Sequence, residues 1–157
     1  MEKNAYEVDV SIGSWTLRNG RGLLICRGLG SCLAVIMYND IKGAMAHSML
    51  PTKPRSFVGS FEARYVDKAV DLLTKAIGKN SKTKLVGGAS MFGTDDIGQR
   101  NIEMARKELK KKGIRIVAED VGGSRARSCF FDVVTKEVRV GTSVREGLTI
   151  KRIERVL

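Results

Sequence analysis

The chain has few of the residues that usually mark a function class. Its 157 residues include one histidine, two prolines, one tryptophan and only 6% aromatics. No apolar run approaches the roughly 20 residues that cross a bilayer, and Met1-Glu2-Lys3-Asn4 lacks the apolar core of a signal peptide. A cytoplasmic protein with no membrane insertion is expected. Three cysteines, an odd number, do not make a disulfide framework, and reduced thiols are expected in that compartment. None stands in Cys-x-x-Cys spacing, so the cysteines and the histidine do not read as a zinc site. Gly28-Leu29-Gly30 lacks the Gly-Lys-Ser/Thr ending of a phosphate loop. Neither metal nor cofactor is expected.

What is present is apolar material and positive charge. A hydrophobic content of 43% suffices for a core, and the length fits one domain, residues 1–157, without repeat, linker or low-complexity tract. The net charge of +11, from 28 Lys and Arg against 17 Asp and Glu, points to an acidic partner. Apart from Lys110-Lys111-Lys112 the basic residues are scattered among acids, and the few aromatics do not interleave with them as on a base-stacking platform. An acidic protein is the expected partner, with no nucleic acid. A basic nucleic-acid-binding domain remains the rival reading of the charge.

Glu7-Val8-Asp9-Val10-Ser11-Ile12 alternates like a half-buried strand, and Leu23-Leu24-Ile25-Cys26 reads as a buried one. Cys32-Leu33-Ala34-Val35-Ile36-Met37-Tyr38 and Gly43-Ala44-Met45-Ala46-His47-Ser48-Met49-Leu50 flank the turn residues Asn39-Asp40-Ile41-Lys42. Phe61, Tyr65, Ala69, Val70, Leu73 and Ile77 recur at helical spacing, with Ser60 as N-cap and Gly78 as stop. A second helix is expected over 96–112, with Ile97, Ile102, Ala105 and Leu109 inward and Gly113 closing it. Strands are expected at 84–86, 114–118, 129–134 and 137–140, and strand-like alternation at 148–153. The expected class is α/β (α+β): a single-domain layered sandwich with a mixed β-sheet core and two main helices.

The chemistry concentrates at Arg27-Gly28-Leu29-Gly30-Ser31-Cys32 and His47. A four-residue loop at 39–42 sets Tyr38 opposite Gly43 and Ala34 opposite His47. Cys32 and His47 are then diagonal neighbours on one sheet face, about 7 to 8 Å apart at the backbone. A slip of one residue would put them on opposite faces. A thiol attacks an amide carbonyl only as thiolate, so it needs a base or a positive surrounding. His47 is the candidate base, and Arg27 and the positive field would favour the anion. Backbone N–H groups around Gly30, Ser31 and Cys32 are candidate oxyanion donors, because glycine allows close approach. Cys26, or a backbone carbonyl near it, is the candidate group to orient the imidazole. The plainer alternative is a cysteine and a histidine that merely pack, and Cys129, between Ser128 and two phenylalanines, reads that way.

Over residues 8–153 the chain resembles the CheD family of chemoreceptor glutamine deamidases. The resemblance rests on Gly28-Leu29-Gly30-Ser31-Cys32, Gly43-Ala44-Met45-Ala46-His47 with Leu50-Pro51, Gly87-Gly88-Ala89-Ser90-Met91-Phe92, Ala118-Glu119-Asp120 with Gly122-Gly123, and Arg125-Ala126-Arg127-Ser128. It implies Cys32 as nucleophile, His47 as general base and a layered fold similar to the cytotoxic necrotizing factor-like cysteine deamidases. Cys26 stands where the family usually has threonine, and a thiol is the weaker hydrogen-bonding group. Gly30, Ser31, Arg27, Ser90, Arg127 and Ser128 are the expected oxyanion and substrate-binding residues. The resemblance implies deamidation of receptor glutamines to glutamate with release of ammonia, and receptor methyl-ester hydrolysis as a second activity. It implies chemoreceptor cytoplasmic domains and a CheC-type phosphatase as partners. The rival within that setting is a non-catalytic module that binds receptors or CheC with an inert thiol.

Overall fold

The structure, a computed structural model, describes residues 6–93 and 95–157. Five strands precede the first helix: β1 Glu7–Asp9, β2 Trp15–Asn19, β3 Leu23–Leu29, β4 Leu33–Tyr38 and β5 Lys42–Ser48. Helix α1 (Val66–Ile77), strand β6 (Lys82–Gly87) and helix α2 (Ile97–Lys111) follow. The chain then runs through β7 Arg115–Val121, β8 Arg127–Asp132, β9 Val138–Glu146 and β10 Thr149–Val156.

These strands form two five-stranded sheets, ordered β1-β3-β8-β9-β10 and β2-β5-β4-β6-β7. Each is mixed, with one parallel pair, β1 with β3 and β6 with β7, among antiparallel neighbours. The α+β class with two main helices is therefore present, and the mixed core is divided between two sheets. β4 shows why the layers stack. Its six residues are all buried, and the strand reads as a continuous apolar run because both faces are covered. Leu33, Val35 and Met37 pack with Ala69 and Leu73 of α1 and Ile102 and Ala105 of α2. Ala34, Ile36 and Tyr38 pack with Leu24, Cys26, Phe131 and Val140 of the other sheet. Each large side chain so buried contributes roughly 1.5 to 3 kcal/mol.

The β4–β5 hairpin has the expected register: Tyr38 pairs with Gly43 and Ala34 with His47. Asn39 fixes the loop length, because its Oδ1 accepts from the N–H groups of Ile41 (2.9 Å) and Lys42 (2.8 Å). Elsewhere the boundaries move. Ser60 is not the N-cap of α1; the helix starts at Val66 behind an extended Tyr65 and a 3₁₀ turn, Glu62–Arg64. Tyr65 is held extended by a bridge to Leu50, and the Val66 N–H donates to the Leu50 carbonyl. Gly78 ends α1 as expected, and α2 lies one residue inside each expected end. β1 stops at Asp9 because a turn closed by Ser14 N–H on the Ser11 carbonyl swings the chain toward β5. β2, which the sequence reading did not foresee, pairs with β5 as its outer neighbour. Among the described residues no helix is long and apolar enough to cross a membrane.

Candidate thiol–imidazole site

His47 is on β5 and faces the space between the sheets, 4% exposed. Met45, two residues away on the same face, packs in the inter-sheet cluster, and so does Ala34 across the ladder. Cys32, two residues before Ala34, is half-buried against that same cluster. Thiol and imidazole therefore share one face of one hairpin.

The ring's hydrogen bonds decide its tautomer. Nδ1 lies 3.0 Å from the Val10 carbonyl, which only accepts, so Nδ1 carries the proton and Nε2 keeps its lone pair. Nε2 is buried and has no hydrogen-bond partner among the described residues, Cys32 included. Thiol and base thus share a face at rest without a hydrogen bond between them, and such contacts often close only when substrate arrives. Burial pushes the Cys32 thiol up from its ordinary pKa. Burial also pulls His47 down, with the Val10 hydrogen bond opposing it. Both effects favour neutral thiol beside neutral imidazole, the form in which a base removes the thiol proton as attack begins.

Val10 is thus the group that orients the imidazole. It is reached because Val10 N–H donates to the Ile25 carbonyl (2.8 Å) and Gly13 N–H to the His47 carbonyl (2.8 Å), which bind the end of β1 to both sheets. Among the described residues no hydrogen bond joins His47 to Cys26. Its Sγ lies 3.8 Å from the same Val10 oxygen and 3.3 Å from Met45 Sδ, fully buried. The neighbouring Cys129 thiol and burial hold its pKa well above the ordinary range, so it stays protonated. It reaches the imidazole's surroundings through the shared Val10 carbonyl and through Met45. No residue type announces a backbone acceptor, so only the inward parity of Val10 hinted at it.

The loop before Cys32 is held by three successive carbonyls. Gly30 accepts from Ala89 N–H (2.9 Å), Ser31 from Asn101 Nδ2 (2.9 Å) and Cys32 from Gly88 N–H (2.8 Å). The N–H groups of Ser31 and Cys32 donate to no acceptor among the described residues. Gly87 has φ of +116°, and a Cβ there would strike the Cys32 carbonyl, so glycine is required twice over. Gly30 sits against Met91, whose Cγ would lie 3.3 Å from a Cβ.

The remaining expected residues are arranged around this centre rather than on it. Arg27 points to the outer face of β3, where it pairs with Asp9 at 3.1 Å and lies over the Phe130 ring. Ser90 Oγ donates to the Asp95 carbonyl (2.9 Å). Arg127 is held by Asp120 at 2.9 Å, and Ser128 Oγ accepts from Gly28 N–H at 3.3 Å. Gly28, Met91, Arg125, Arg127 and Ser128 line an open depression of ≈ 380 Å³ beside the Cys32 loop. A larger cavity, ≈ 550 Å³, lies over the outer sheet face around Phe130 and Arg152 and holds none of the thiol–imidazole residues.

A half-buried thiol and an imidazole with its free nitrogen thus share one face of an α+β fold, beside a loop clamped through its carbonyls. The sequence model of a family described as CheD chemotactic sensory transduction matches residues 49–142. That span begins after both Cys32 and His47, whereas full-length relatives cover them. A probable chemoreceptor glutamine deamidase CheD of Pyrococcus horikoshii is 36% identical over 160 residues, 94% of this chain and 98% of its own. The chemoreceptor glutamine deamidase CheD of Thermotoga maritima is 38% identical over 157 residues, 92% of this chain and 98% of its own. That of Halalkalibacterium halodurans is 43% identical over 135 residues, covering 76% and 83%. The chain belongs to the CheD family.

Proposed function

We propose that this chain, as a single deamidase domain over 1–157, converts specific glutamine side chains of methyl-accepting chemoreceptors to glutamate. The observation that carries the reading is the state of His47: Nδ1 occupied by Val10, Nε2 free, and Cys32 on the same face. Nε2 takes the thiol proton as Cys32 Sγ adds to the carboxamide carbon. Ser31 and Cys32 N–H groups receive the developing oxyanion. The adduct collapses with the proton passing from His47 to the leaving nitrogen, and ammonia departs. Water, deprotonated by the same imidazole, hydrolyses the thioester, leaving glutamate and the restored thiol. The balance is carboxamide plus water to carboxylic acid plus ammonia. Family membership and the names of the full-length relatives supply the substrate class.

A receptor methyl ester would form the same acyl-enzyme, so methyl-ester hydrolysis is proposed as a second activity. The +11 charge suits an acidic receptor surface in the cytoplasm. A CheC-type phosphatase is the proposed regulatory partner, on family resemblance. The test is ammonia release from a chemoreceptor cytoplasmic fragment by wild type, Cys32→Ala and His47→Ala. Loss of release in both variants supports the dyad. Wild-type-like release from both refutes the dyad, and no release from wild type with receptor binding intact leaves the non-catalytic binding module instead.

A further inference from the structure

Among the described residues Asn101 is the one amide side chain that is completely buried, 0% exposed. It lies on the inner face of α2, one step from Ile102 and four from Ala105, which pack in the apolar cluster. An amide in such a place is costly unless bonded. Its Nδ2 makes two bonds, to the Ser31 carbonyl at 2.9 Å and to the Met49 carbonyl at 3.1 Å. Its Oδ1 has no partner among the described residues. A packing role alone would be met better by an apolar residue. Both acceptors belong to the site: Ser31 immediately precedes Cys32, and Met49 lies two residues past His47.

The Ser31 carbonyl and the Cys32 N–H are two ends of one peptide unit. That unit is planar and trans, so its C=O and N–H point in opposite directions. Pulling the Ser31 oxygen toward α2 turns the Cys32 N–H away from α2, and no described group takes that hydrogen. Resting on the reading of Cys32 as nucleophile, we propose that Asn101 is a positioning residue that aims the Cys32 N–H at the oxyanion.

The test separates oxyanion placement from the dyad and from stability. Deamidation of a receptor cytoplasmic fragment is measured as ammonia release, and Cys32 reactivity as alkylation by iodoacetamide, a displacement at carbon that forms no oxyanion. Removing an oxyanion donor outright costs about 10²- to 10³-fold in kcat, and a donor left in place but misaimed costs less. Asn101→Ala and the isosteric Asn101→Asp should therefore lower kcat by about 10- to 100-fold. KM should stay within about threefold and the alkylation rate and its pH dependence near wild type. Leu109→Ala, buried on the same helix away from the site, should lower the melting temperature yet keep kcat. Wild-type kcat in either folded Asn101 variant overturns the proposal, and so does an alkylation rate that falls in parallel with kcat. If Asn101→Ala does not fold, Asn101→Asp carries the test alone, and failure of both to fold while Leu109→Ala folds makes Asn101 a structural residue and overturns it. Absence of Cys32-dependent deamidation in wild type would instead overturn the deamidase reading itself.

Discussion

Replacing His47 by asparagine divides the histidine's two jobs. The asparagine Nδ2 occupies the place of the ring Nδ1, so the 3.0 Å bond to the Val10 carbonyl survives, whereas nothing replaces Nε2. Alanine removes both. In the alanine variant the Val10 oxygen keeps only the Cys26 thiol at 3.8 Å, a long and weak donor. A buried acceptor so deprived costs about 1 to 3 kcal/mol, and the space left by the ring adds to it. His47→Asn should therefore unfold in urea with a free energy higher than His47→Ala by about 1 to 3 kcal/mol. Both variants should lose about 10²- to 10⁴-fold in ammonia release, the range of a positioned general base. Urea unfolding followed by circular dichroism gives the first quantity and coupled ammonia detection the second. Equal stabilities would refute the Val10 bond as an anchor. His47→Asn activity within tenfold of wild type would refute Nε2 as the base.

Four further outcomes follow from the structure. Because burial lowers the His47 pKa, the acid limb of the pH–rate profile should lie below the ordinary imidazole value of about 6.5. Between those two values the unfolded chain binds more protons than the folded one. Stability therefore falls as pH drops through that window and is flat above it, and His47→Asn should remove that slope. Gly87→Ala puts a Cβ against the Cys32 carbonyl at φ +116°, so a loss of about 1 to 3 kcal/mol in unfolding free energy and a drop in kcat are expected together, and a neutral variant would refute the contact. Lys84 is buried and donates to the Lys136 and Leu157 carbonyls, both at 2.8 Å. Lys84→Met should lower stability by about 1 to 3 kcal/mol without changing kcat, which paired urea unfolding and kinetics will read.

The hairpin was legible because its geometry is counted, not inferred from packing. Four residues between Tyr38 and Gly43 set the ladder, and Asn39 supplies its own loop bonds, so the common face of Cys32 and His47 could be computed from numbers alone. The layers were less legible. β4 is apolar at every position, which says that both faces are covered but not by what, and the second sheet left no separate mark. The start of α1 moved because Tyr65 answers to Leu50, fifteen residues earlier, and a local capping rule does not see that bridge. Val10 acts through its backbone and could not be read. Asn101 could have been: a polar residue four after Ile97 and four before Ala105, on the stripe assigned to the core, departs from the pattern that placed α2.

The three carbonyls of Gly30, Ser31 and Cys32 are each held by a different partner, from Ala89, Asn101 and Gly88. A loop fixed in this way has lost its conformational entropy at folding, before any ligand arrives. An electrophilic glutamine mimic would meet a finished surface and keep interaction energy that a mobile loop would have consumed in ordering. Covalent probes directed at Cys32 should accordingly gain more from matching the shape of this loop than from flexible reach.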